Sequence, residues 1–332
     1  MTHQTEKQTE NGAALIVVLC LLVLCALLTA STVTISQISN ESASVCADRG
    51  LSTYLAEGAA ARIQWSLIAD RMKNPNRNVE NTDYDLGENE RFLADGSRRE
   101  MNLYGSYIEY YIMDMNSGIN ISGANPSSQL AFISNLFAAD PDSNENFLAF
   151  LDKVKDYTDR DSLLNQNGFE EVDYNGIELP NLPRNNRMQY REEILWVPGA
   201  EDFFCPDKFG RLSVFQVIPP TGLKNIRGKS NFFAADDEFV RMKCSLNETE
   251  MANLIEAKQK WQNELTPITE TLQPDLLAKI KQQFTFSESG YYTLIIKASP
   301  ASGKAGRTLV VSFKIHTKIP NYGNRYYEYQ SF

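Results

Sequence analysis

Six carboxylates, Asp156, Asp159, Asp161, Glu170, Glu171 and Asp173, fall within eighteen residues around the turn signal NQNG at Asn165 to Gly168. Calcium takes about six to eight oxygen ligands, and a loop dense in carboxylates and carbonyls supplies such donors. A solvated acidic loop between helices has the same composition, so the residues alone leave both readings open. The stretch DPDSNENFLAFL from Asp140 imitates a calcium loop only superficially. Glu145 stands where the turn glycine is needed, and Leu151 where the bidentate glutamate should be.

Other chemistry is sparse. Histidine occurs twice, at His3 and His316, so a catalytic triad or a histidine zinc site would have to be built around His316 alone, in a stretch that reads as a strand. No nucleophile and base are paired by spacing, and no Walker loop occurs. The expectation is no enzyme, with energy drawn from a partner ATPase. A net charge of −10 argues against nucleic acid, whose binding rests on clustered Lys and Arg. Five cysteines, at positions 20, 25, 46, 205 and 244, do not describe a disulfide scaffold. A Cys205–Cys244 bridge stays open, because spacing does not establish its geometry.

Three kinds of element must position these residues. From Ala13 to Ala30 no residue is charged, and the apolar character persists through Val33 and Ile35, enough helix to cross a hydrocarbon core of roughly 30 Å. The run is too long, and its head MTHQTEKQTENG too acidic, for an ordinary cleaved secretory signal. No proline interrupts Ser31 to Arg71, and Leu51, Leu55, Ala59, Ile63 and Leu67 recur at helical spacing, so the helix continues as an amphipathic stem until KNPNRN around Pro75. RFLADGSRREMNLYGSYIEYYIMD then reads as a strand meander, with Asp95-Gly96 as its hairpin turn. From Pro126 to about Gln283 the periodicity is helical, in SSQLAFISNLF, NENFLAFLDKVKDY, EEILWV and NETEMANLIEAKQKWQNEL, with Asn247 and Glu250 spaced as a capping pair. Strand chemistry returns in FTFSES, GYYTLIIKAS and RTLVVSFKIHTKI. Strands before and after a helical block imply one sheet with a helical domain inserted into it. The helix pair near Asn247 is similar to a helix-hairpin-helix, but Asp236, Asp237, Glu238, Glu248 and Glu250 around it make phosphate binding a poor reading.

A glycine, a long apolar helix running unbroken into a stem, and then a small sheet is the layout of type IV pilin-like proteins, and G-AALIVVL resembles a prepilin peptidase site with Gly12 and Ala13 flanking the cut. At the fifth mature position most pilins carry glutamate; here it is Val17. A carboxylate inside a membrane is costly unless paired, and a subunit with nothing above it needs no such partner. That feature resembles the GspK-type minor pseudopilin of type II secretion systems. IMDMNSGINIS (Ile112 to Ser122), VKDYTDRD…GFEEVDY (Val154 to Tyr174), LPRNNRMQYREEILWVPG (Leu182 to Gly199) and KSNFFAADDEFVRMKC resemble that family's segments in order across nearly the whole chain. Tyr157 stands for the usual Trp, Phe169 interrupts G-A-E, and SNFFAA lacks the second Asn and the Thr of N-I-N-T-A.

The resemblance implies an α+β fold: a prepilin leader (1–12), a transmembrane part (13–35) and amphipathic stem (36–72) of one long helix, the first part of a small antiparallel pilin-like sheet (73–122), a large inserted helical domain (123–283), and C-terminal strands completing the sheet (284–332). It implies a minor pseudopilin at the tip of the pseudopilus, nucleating or capping the filament that drives export of folded proteins across the outer membrane. A tip minor pilin of a type IV pilus and a membrane-tethered calcium-dependent binding module are the other expectations. Implied partners are other minor pseudopilins and the major pseudopilin through the N-terminal helix, prepilin peptidase, and the inner-membrane assembly platform, with the C-terminal domain in the periplasm and no nucleic acid. The resemblance also favours structural calcium in the inserted domain, with Glu170 and Asp161 as leading ligands.

Overall fold

The computed structural model describes residues 3–73, 92–123, 125–137, 139–206, 210–217, 229–264, 266–301, 305–315 and 326–332, with side chains from residue 15 onward. Its first element, α1 (His3–Lys73), is one helix of 71 residues, roughly 105 Å long at 1.5 Å per residue. Its apolar half is long enough and apolar enough to cross a membrane and is not buried against the rest of the chain; among the described residues it is the one such helix, a membrane anchor that crosses once. The helix runs through Gly12 and Ala13, where a peptidase site is expected to be extended. A lone glycine costs a helix only about 1 kcal/mol, too little to break a run with no proline. The side chains of His3 and Ala13, and all of His316, lie outside the described residues.

A hairpin follows, β1 (Asp95–Leu103) and β2 (Ser106–Asp114). Its turn is Tyr104-Gly105, not the expected Asp95-Gly96. Both turn residues have positive φ, 51° and 79°, as the two-residue turn that matches strand twist requires, and glycine takes the second at no steric cost. Asp95-Gly96 instead opens β1 with a bulge, between Asp95 and Arg98. After β3 (Ile119–Asn120) come α2 (Pro126–Leu130), a 3-10 turn at Ala131–Phe137, α3 (Pro141–Thr158) and α4 (Glu171–Gly176). EEILWV, expected as an α-helix, is a 3-10 turn, Arg191–Trp196, the tighter geometry that short connecting pieces adopt. Then come β4 (Phe215–Gln216), β5 (Ser230–Asn231), α5 (Asp237–Cys244), α6 (Glu248–Glu264), α7 (Ile268–Thr271) and α8 (Pro274–Gln283). Asn247 and Glu250 form the reciprocal cap of α6, Asn247 Oδ1 accepting from Glu250 N–H (2.9 Å) and Glu250 Oε2 from Asn247 N–H (3.0 Å). The chain ends in β6 (Phe284–Thr285), β7 (Tyr291–Ser299), β8 (Arg307–Lys314) and β9 (Tyr326–Ser331).

The main sheet has the order β1-β2-β7-β8-β9, all antiparallel. Strands β2 and β7 are neighbours although the whole helical block lies between them in sequence, so that block is an insertion in the sheet. Alternate residues of β2, β7 and β8 (Ile108 and Ile112, Leu294 and Ile296, Leu309 and Val311) face Leu55, Ala59, Ile63 and Leu67 of α1, the period of two that a half-covered strand demands. Arg71 pins the end of the stem. Its guanidinium donates to Glu288 (2.8 Å), to Phe92 O (2.8 Å) and to Tyr292 Oη (3.1 Å). The insertion has its own core, rich in Phe, around Phe147, Phe150, Phe204, Phe215, Phe232 and Phe239.

Candidate metal site and the seam of the insertion

The acidic loop hangs from the end of α3. Asp156, in the last turn, is fully buried; its Oδ2 accepts from the backbone N–H groups of Phe169 (3.0 Å) and Asn165 (3.2 Å), and its Oδ1 from Asn165 Nδ2. One carboxylate thus folds residues 165–169 back onto the helix. Gly168 permits this: a Cβ there would meet Asp156 Oδ2 at 1.7 Å.

The six carboxylates do different jobs. Asp173 accepts from Glu170 N–H (3.0 Å) at the start of α4, Asp161 accepts from Leu163 N–H (3.0 Å) in a local turn, and Glu171 is exposed. Asp159 and Glu170 stand apart, since Asp159 Oδ1 and Glu170 Oε1 are buried with no hydrogen-bond partner, and Glu170 is only 8 % exposed. Burial, then the charges of Asp161 and Asp156, push the Asp159 carboxyl above its usual range. Burial, then Asp156, Asp159 and Asp161, do the same to Glu170. Asp156, Asp159, Asp161 and Glu170 are therefore within electrostatic reach of one another.

A third buried oxygen without a partner is Asn185 Oδ1, from a segment the charge pattern does not mark. Its backbone N–H donates to Tyr157 O (3.1 Å), which sets the residue against the end of α3, and its φ of 51° is left-handed. The only sign of it in the sequence is that it lies in the LPRNNRMQ segment. Among the described residues no three His, Cys, Asp or Glu side chains converge as metal ligands. Amide and carbonyl oxygens, however, make up much of a calcium shell. Buried oxygens normally have partners, so two orphaned carboxylate oxygens and one amide oxygen at the end of one helix fit a hard divalent cation.

The insertion meets the sheet at a buried polar seam. Asp114, at the end of β2, is fully buried and accepts from Ser289 N–H (2.7 Å), Asn116 N–H (2.8 Å), Asn231 Nδ2 (3.0 Å) and Ser289 Oγ. Asn231 N–H in turn donates to Asn116 O (2.6 Å), and Gln216 Nε2 to Asn116 Oδ1 (3.2 Å). Two short parallel pairs flank this seam, β3–β4 tying Ile119–Asn120 to Phe215–Gln216 and β5–β6 tying Ser230–Asn231 to Phe284–Thr285. A second tie runs from the 3-10 turn to β9, where Glu328 accepts from Arg191 (3.2 Å) and Ser312 (2.7 Å) and lies 3.5 Å from Arg211. Although burial opposes it, the Arg191 and Arg211 guanidiniums hold the Glu328 carboxyl below its usual range. Cys205 and Cys244 are both free, so the open bridge is not formed.

No protein-family model and no curated protein matches the sequence. Among solved structures, a chain in the crystal structure of the GspK-GspI-GspJ complex from the enterotoxigenic Escherichia coli type 2 secretion system is similar to it, with a TM-score of 0.54 and 13 % identity over 85 % of this chain and 96 % of that one. The α+β fold of this chain is thus shared, over 85 % of its length, with a component of that secretion complex.

Proposed function

We propose that the chain is a minor pseudopilin of a type II secretion system, anchored in the inner membrane with its folded part in the periplasm, and that it occupies the tip of the filament. The observation that carries this reading is the free face of α1. On the side turned from the sheet core, Leu51, Tyr54, Gly58, Ala61, Trp65, Ile68 and Met72 repeat at steps of three and four, a heptad seam bordered at Gly58 by Leu103 of β1. Tyr54, Trp65 and Met72 are 76, 71 and 64 % exposed. Such a stripe suits a parallel helix of another anchored subunit, since the seam continues a membrane helix and Gly58 and Ala61 admit close approach. The neighbouring structure being a complex of three secretion-system proteins supports co-assembly. Val17 and the bulk of the insertion support a tip position, where no subunit lies above. Prepilin peptidase acting between Gly12 and Ala13, after local unwinding of α1, belongs to this reading. N-terminal sequencing of the protein from cells tests it: the mature chain should begin at Ala13, and Gly12→Leu should retain the leader. A mature chain still beginning at Met1 overturns the reading.

We propose further that Asp159, Glu170 and Asn185, with Asp161 at the mouth, hold calcium as a structural ion. The ion offsets the mutual repulsion of the carboxylates and ties the chain around Asn185 to α3. A ligand that binds only the folded state adds about 2.7 kcal/mol at a hundredfold excess over Kd. The purified full chain should melt several degrees lower in chelator, calcium should restore the loss, and magnesium should do so poorly because it demands a tighter octahedron. A melting temperature that calcium leaves unchanged, in protein shown to be metal-free beforehand, leaves a solvated acidic loop.

A further inference from the structure

We propose that the open edge of β9 accepts an extended strand from a co-assembling subunit, seated between β9 and residues 186–192; this rests on the assembly reading above.

Among the described residues, strand β9 is the last of the sheet and is paired on one side only. Thr308 and Phe332 exchange both backbone bonds (2.9 and 3.2 Å). In an antiparallel ladder the bonded pairs alternate, so Gln330 and Glu328 also turn their backbone groups to β8. Tyr329 and Ser331 turn theirs to the open edge. The opposite edge, β1, is guarded by Arg98, Arg99 and Glu100, the usual defence against added strands. Strand β9 has no such guard. Its one charge, Glu328, is engaged by Arg191, Arg211 and Ser312.

A cavity of about 600 Å³ adjoins this edge, between Tyr327–Gln330 and residues 186–192, with Met115, Met188 and Val217 in its lining. Its volume is that of a ligand cleft. Arg187 lies on its lining, exposed and without a carboxylate partner among the described residues. The cavity thus suits a strand that carries apolar side chains and one acidic side chain. The adjoining face of α1 identifies the source. Tyr329 Oη donates to Glu57 (2.7 Å) and Gln64 Nε2 to Tyr326 Oη (3.0 Å). Ala61 of the heptad seam lies four residues from Glu57 and three from Gln64, adjacent on the helix surface. A subunit laid along the seam therefore borders β9.

The test is residue-resolved hydrogen–deuterium exchange on the full chain, alone and co-purified with the pseudopilin subunits it assembles with. In the complex the Tyr329 and Ser331 amides should slow at least tenfold, while Gln330 and Phe332 stay slow in both samples. Ser331→Pro removes an outward N–H and no bond to β8. It should leave the melting temperature unchanged and weaken the complex about tenfold, whereas Gln330→Pro should lower the melting temperature. A complex in which Tyr329 and Ser331 exchange as in the isolated chain overturns this proposal and leaves the assembly reading intact. If no complex forms, the assembly reading fails and takes the proposal with it. Protection of both amides already in the isolated chain puts the chain's own segment at the edge and also overturns it.

Discussion

Asp114→Ala should lower the stability of the protein by about 4 kcal/mol, measured by urea denaturation of the full chain in detergent. The carboxylate is fully buried and accepts from two backbone N–H groups, an amide and a hydroxyl on three separate segments. Alanine leaves the Ser289 and Asn116 N–H groups without acceptors where water cannot replace them, at about 1–3 kcal/mol each. The loss should fall on both domains, because Asn116 and Asn231 hold the insertion while Ser289 leads into β7. Asp114→Asn keeps one acceptor oxygen but turns a donor toward other donors, so it should lose less than alanine and more than a surface change. A loss below about 1 kcal/mol for Asp114→Ala means that the seam is not what joins insertion to sheet.

The second large effect is expected at Gly168. Alanine there puts a Cβ 1.7 Å from Asp156 Oδ2, so either the loop or the carboxylate must move, and each route breaks the bonds to Asn165 and Phe169. A cost of about 3 kcal/mol follows from two orphaned donors plus strain, together with loss of the calcium-dependent rise in melting temperature. Asp156→Ala should cost about as much for the same donors. The double variant should cost clearly less than the sum, because removing the carboxylate removes the clash, and contacting residues couple by about 0.5–3 kcal/mol. Strict additivity would show that Gly168 matters for some reason other than its approach to Asp156.

Most of the helical architecture is legible in the sequence, because it rests on interactions a few residues long. The uncharged run from Ala13, the proline-free stem and the Asn247–Glu250 cap are all local features. The sheet is legible as strand-like runs, but not in its turn. Asp95-Gly96 and Tyr104-Gly105 offer the same glycine, and only the pairing of β2 with both β1 and β7 selects the second. Strand β9 carries no alternation strong enough to mark it, and it exists because β8 presents an unpaired edge.

The acidic loop divides in the same way. Its composition reads equally as a cation site or a solvated loop, with nothing in it to rank the six carboxylates. Folding makes them unequal: Asp156 becomes a buried acceptor for its own loop, Asp173 a cap and Glu171 a surface charge, while Asp159 and Glu170 keep buried oxygens with nothing to bind. Asn185 joins them from twenty-six residues beyond Asp159 because its N–H is tied to Tyr157 O. The sequence by itself determined the anchor, the stem and the longer helices and strands, since hydrophobic period and capping act within one or two turns of chain. Only the tertiary structure decided which oxygens are buried without partners, which strand edge stays open and which face of α1 is left uncovered. Those outcomes depend on contacts between distant residues, and burial alone converts an ordinary polar side chain into one that needs a partner.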